Sequence, residues 1–81
     1  MPDVPPPEVL VAFGRAVRHF RVERGWSQER LAEEAGIHRT YVGGVERGVR
    51  NVSLVNIERL ARALSVDLPT LMAAVGRQPR R

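Results

Sequence analysis

Cysteine is absent from this chain of 81 residues. That excludes disulfides and thiolate metal sites, and makes a cytoplasmic chain the expectation. No apolar run approaches the roughly 18 residues that a membrane span requires. The opening "MPDVPPPEVL" has no basic residue and four prolines, so it does not read as a signal peptide. The two histidines, His19 and His38, stand 19 positions apart, without metal-ligand spacing. There is no Gly-rich phosphate loop and no nucleophile–base set. No metal, cofactor, catalytic residue or small-molecule ligand is therefore expected, and the chain does not read as an enzyme.

Lysine is missing too: all thirteen basic residues are Arg. Arg keeps its charge and offers a planar fork of donors suited to phosphate and guanine. A GC-rich coding sequence accounts for the same bias. The distribution says more than the total. Residues 1–36 carry five Arg and six acids, net −1, whereas residues 37–81 carry eight Arg and three acids, net +5. A basic half beside a near-neutral half suggests a polyanion-facing surface.

What is present reads as one all-α domain over residues 8–75, between a Pro-rich arm (1–7) and a basic tail (76–81). Five helices are predicted. The first runs from about Glu8 to Arg24, with Leu10, Phe13, Val17 and Phe20 on one stripe and Gly25 beyond its end. The second opens at Ser27, a good N-cap, and stops before Gly36. The third lies within "HRTYVGGVERG" and is closed by Gly48. The fourth opens at Ser53, with Leu54, Ile57, Leu60, Ala61 and Leu64 inward. The fifth opens at Asp67 and tolerates Pro69 in its first turn. The second and third helices are joined only by "AGIH", a tight Gly-containing turn of the helix-turn-helix kind.

The third helix raises a question. Val42 and Val45 fall on its inner face, so Arg39, Thr40, Gly43, Gly44 and Arg47 fall outward. Two adjacent glycines inside a helix cost about 1 kcal/mol each relative to Ala. Surface drift, close approach to a partner, or a pocket for a partner's side chain all fit them.

The run "RGWSQERLAEEAGIHRTYVGGVERGVRNVSLVNIERLARALSVDLPTL" resembles the phage Cro/repressor-type helix-turn-helix proteins, also called the xenobiotic-response-element family. The match extends over about residues 9–75. Its carriers are "SQERLA", "AGIHRTYV", "VERGVRNVSL" and "LARALSVDL", in that order and spacing. The small size and the "RTYVGGVERGVRN" segment look most like controller proteins of restriction–modification systems. The resemblance implies a compact, lambda-repressor-like five-helix fold. The third helix would enter the DNA major groove and the second would lie across the backbone.

The residues suggest the following roles, and for Gln28, the loop after the third helix and the Arg21–Glu46 pair the resemblance implies them. Arg39 would bind guanine O6 and N7, and Thr40 a thymine methyl or a phosphate. His38 stands where such proteins have a small N-cap and would cap weakly or touch phosphate. Related proteins often carry a base-reading side chain at the Gly44 position. Its absence departs from that pattern and shifts the reading load to the N-terminal end of the helix, while Gly43 and Gly44 would let the helix approach base edges. Gln28 would meet a phosphate at the start of the second helix. Tyr41 would do so or simply pack. Arg47, Arg50 and Asn51 would track the backbone. Arg21 and Glu46 would pair, tying the first helix to the third. Trp26 reads as a lid on the core.

Such proteins act as two-fold dimers. Val55, Val66, Leu71, Met72 and Val75 offer a candidate dimer interface, or else complete the monomer core. The expected partners are double-stranded DNA, a second copy of the chain and RNA polymerase, with no membrane. The reading is a sequence-specific, autoregulatory transcriptional regulator. The antitoxin of a toxin–antitoxin pair, or an interaction module that has lost DNA binding, stand as alternatives.

Overall fold

Side chains set the start of three of the five helices in the computed structural model of the chain. The structure describes residues 7–78. The helices are α1 (Glu8–Glu23), α2 (Gln28–Ala35), α3 (Arg39–Arg47), α4 (Leu54–Ala63) and α5 (Leu68–Gly76), with no strand among the described residues. Ser27 Oγ accepts from Arg30 N–H at 3.0 Å, Ser53 Oγ from Asn56 N–H at 3.1 Å and Asp67 Oδ1 from Thr70 N–H at 2.8 Å. Each bond satisfies a donor that the first helical turn leaves without a partner. Thr70, through its side chain and its N–H, also holds the Asp67 carboxyl below its ordinary value.

Left-handed residues follow the first four helices. Gly36 and Gly48, at φ 70° and 78°, close α2 and α3. The turn after α4 places Ser65 at φ 59°, a conformation in which a side chain is strained. The end of α5 includes Gly76, so the basic tail begins one residue later than the sequence suggests. Residues 1–6 of the expected arm and 79–81 of the tail lie outside the described residues.

The core gathers Phe13, Val17, Leu31, Val42, Val45, Leu60, Leu64, Leu71 and Val75 with six alanines. At about 25 cal/mol per Å² of apolar surface removed from water, this burial is the main stabilising term. Two expectations fail here. Leu71 and Val75 are 0% and 3% exposed, so they complete the monomer core and are not available to a second copy. Leu54 is 74% exposed, although helical periodicity places it inward. It is the first residue of α4, where the chain has not yet turned onto the core.

The first helix holds the third. At Gly14 an added Cβ would strike the Val45 carbonyl oxygen and lie 2.7 Å from that of Glu46. At Gly48 it would lie 2.8 Å from Val11 Cα. The backbones of α1 and α3 thus touch where the glycines leave room, which fixes the attitude of α3.

Candidate nucleic-acid interface

The turn from α2 to α3 presents the N-terminal end of α3 to solvent. His38, Arg39 and Thr40 are all exposed. Arg39 approaches Glu29 of α2 at 3.9 Å, but both side chains are about two-thirds exposed or more, a pair that solvent screens. His38 occupies the N-cap position and makes no side-chain cap bond. The first N–H groups of α3 therefore have no side-chain partner from His38 and, with the helix dipole, favour an anion.

The two glycines face outward, yet they are not bare. Both are buried. An added Cβ at Gly43 would lie 3.3 Å from Arg47 Nη1 and 3.5 Å from Gln28 Oε1. At Gly44 it would lie 2.7 Å from Arg50 Cγ and 3.0 Å from its Nε. Arg50 leaves the loop after α3, folds back across Gly44 and sets its guanidinium 5.7 Å from the Tyr41 ring centroid. The space that the glycines leave is therefore taken up by side chains of this chain. Gly43 seats the guanidinium of Arg47 and Gly44 the stem of Arg50, on the outward side of the helix that Arg39 begins.

Behind this face lies a closed polar cluster. Arg21 Nε and Nη2 donate to Glu46 Oε2 and Oε1 at 2.6 and 2.9 Å, and Arg21 Nη1 donates to the Trp26 carbonyl at 2.7 Å. The side chains are 11% and 4% exposed. Hydrogen bonding to Glu46 raises the Arg21 pKa above its ordinary value. The Glu46 charge adds to that, and burial works against it. Gln28 Nε2 donates to Glu46 Oε1 at 3.0 Å. Gln28, expected to be free for phosphate, is thus oriented by Glu46 and keeps one amide hydrogen for another acceptor. Tyr41 is half-buried and packs against the core. Asn51 is exposed beyond Arg50.

Of the residues expected at a dimer interface, Val55 and Met72 are 59% and 44% exposed, and Val66 is half-buried against the core. The Gly14 contact was missed from sequence. Its signal is a glycine within a 16-residue helix that has no cause to break there. No group of three His or acidic side chains gathers as a metal site, and no helix is long and apolar enough to cross a membrane, among the described residues.

This geometry agrees with what the chain is similar to. The helix-turn-helix family profile matches residues 17–71. The chain belongs to this family, whose domain is of the xenobiotic-response-element type. Within it, the chain is 46% identical over 65 residues to control protein C.BamHI of Bacillus amyloliquefaciens, covering 79% of this chain and 80% of that one. It is 48% identical over 60 residues to control protein C.SmaI of Serratia marcescens, covering 74% and 71%. The crystal structure of the restriction–modification controller protein C.AhdI from Aeromonas hydrophila superposes with a TM-score of 0.75 at 56% identity. It covers 76% of this chain and 94% of that one. The close relatives are thus control proteins of restriction–modification systems.

Proposed function

We propose that this chain is a DNA-binding transcriptional regulator of the controller type, acting as a homodimer on near-palindromic operators that include its own promoter. The carrying observation is the outer side of α3. Exposed Arg39 and Thr40 stand at its leading end, and Arg47 and Arg50 flank its two glycines. Arg39 and Thr40 read base edges, Gly43 and Gly44 leave room for Arg47 and Arg50 to lie close along the groove-facing side of the helix, and His38 lies at the phosphate margin. Gln28, Tyr41, Arg47, Arg50 and Asn51 position the domain on the backbone. Val55, Met72 and the rim of Val66 contribute to the contact between copies. RNA polymerase is the partner that the bound dimer meets at a promoter.

The test is binding to the duplex upstream of its own gene, against a scrambled duplex, at two salt concentrations, for the natural chain and Arg39→Ala. Two chains per duplex, with a preference for the natural sequence, is expected. Arg39→Ala should lose about 1–3 kcal/mol of that preference and keep its fold. Equal binding of both duplexes by the natural chain would reject the reading.

A further inference from the structure

Eight of the thirteen arginines lie in residues 37–81, and those among the described residues do not share one face. Arg59 and Arg62 of α4 join Arg24, from the end of α1, and Arg30 of α2 around a cleft of about 430 Å³ floored by Trp26. Glu34 is the one acid in its lining. We propose that this cleft between α2 and the C-terminal half of α4 is a second binding site, for an acidic segment of a partner protein.

The placement separates it from the DNA-facing surface. Glu29 reaches across to Arg39, so that side of α2 looks toward α3. Arg30 is about 100° further round the helix, and with Glu34 it lines the wall that looks toward α4. A duplex seated on α3 leaves this wall open. The cleft holds a few residues of an extended peptide and is too small for a duplex.

The chemistry selects carboxylates. Arg24 and Arg30 lie over the Trp26 ring at 4.6 and 4.7 Å from its centroid, so the ring has little face left on which a nucleobase could stack. The same two guanidiniums keep edges with free donors, in the planar fork that matches a carboxylate. Arg24 is steadied by a 3.3 Å bond to the Leu64 carbonyl. Arg30 and Arg62 are paired only with exposed neighbours on their own helices, Glu34 at 3.0 Å and Glu58 at 3.5 Å. Such pairs are weak and exchange readily for an incoming carboxylate. Arg59 makes no ion pair among the described residues. Four positive charges against two negative ones, Glu34 and Glu58, leave a local excess that repels basic ligands and attracts acidic ones.

Trp26 is the only tryptophan, so it reports on the cleft. The full chain is titrated with an end-blocked octaglutamate peptide while Trp26 emission is followed, with and without a saturating duplex on α3. A saturable change is expected in both conditions. It should weaken about tenfold in the double variant Arg59→Ala/Arg62→Ala, whose melting and duplex binding stay those of the natural chain. No saturable change, equal affinity in the double variant, or displacement of the peptide by the duplex would each overturn the proposal. A response to single-stranded oligouridine stronger than that to the peptide, and abolished by the double variant, would overturn it in favour of a nucleic-acid site.

Discussion

Arg50 lies over Gly44, its Cγ 2.7 Å from where a Cβ would stand on that residue. The glycine and the arginine are one device. The helix gives up a side chain, and the following loop supplies a longer one to the same place. Replacing Gly44 by Ala relieves a helix-interior glycine, worth up to about 1 kcal/mol. The added methyl also meets Arg50 at Cγ, near the root of the side chain, so the exposed arginine must turn about its first torsions to make room. Gly44→Ala should therefore melt at or above the natural temperature and bind DNA more weakly. If Arg50 contacts phosphate, the loss is the same on operator and scrambled duplex, and the salt slope falls by about one. Undiminished binding of both duplexes would show that the position of Arg50 is immaterial.

Arg21 holds Glu46 at two points and the Trp26 carbonyl at a third, and Gln28 completes the cluster. Arg21→Ala strands a carboxylate that is 4% exposed, which costs about 3–5 kcal/mol when a buried pair is broken from one side. Arg21→Met with Glu46→Leu removes both charges and should recover much of that stability. Urea unfolding of the three chains gives the comparison. The double variant should still bind DNA less well than the natural chain, because Gln28 then loses the acceptor that orients it.

Gly14 sits where α1 meets the carbonyls of Val45 and Glu46. Backbone atoms cannot swing aside as Arg50 can. Gly14→Ala should destabilise by about 1–3 kcal/mol, as overpacking does, despite the better helix propensity of Ala. The opposite signs expected at Gly14 and Gly44 make the pair a joint test, read by calorimetry on both variants.

The helices and their ends were legible in the sequence because they depend on local chemistry. Ser27, Ser53 and Asp67 cap where such residues cap, and Gly36 and Gly48 close where a left-handed residue is needed. The Arg21–Glu46 pair was legible only through resemblance, since 25 positions separate the partners. What depends on packing was not legible. Periodicity gave Leu71 and Val75 an apolar side, but only the assembled core shows that α1 and α4 consume it. A helical wheel put Gly43 and Gly44 outward and carried no sign that Arg47 and Arg50 would cover them. The charge asymmetry pointed to one basic face, whereas Arg59 and Arg62 turned toward Arg24 and Arg30 instead.

The turn after α4 offers the last prediction. Gly25 follows α1 at φ 71°, and at the corresponding place after α4 stands Ser65, at φ 59°. Val66 N–H bonds to the Ala61 carbonyl at 3.0 Å, as Trp26 N–H does to the Arg21 carbonyl at 3.2 Å, so the two turns share one hydrogen-bond pattern. A left-handed conformation costs a residue with a Cβ roughly 1–2 kcal/mol, and a glycine loses part of the gain as extra entropy in the unfolded chain. Ser65 is exposed and its side chain appears in none of the hydrogen bonds among the described residues, so little else is lost on replacement. Ser65→Gly should stabilise the domain by about 0.5–1 kcal/mol, seen as a higher midpoint in urea with an unchanged slope. Ser65→Ala keeps the strain and should gain nothing. A gain in both variants would trace the effect to loss of the hydroxyl and not to backbone conformation.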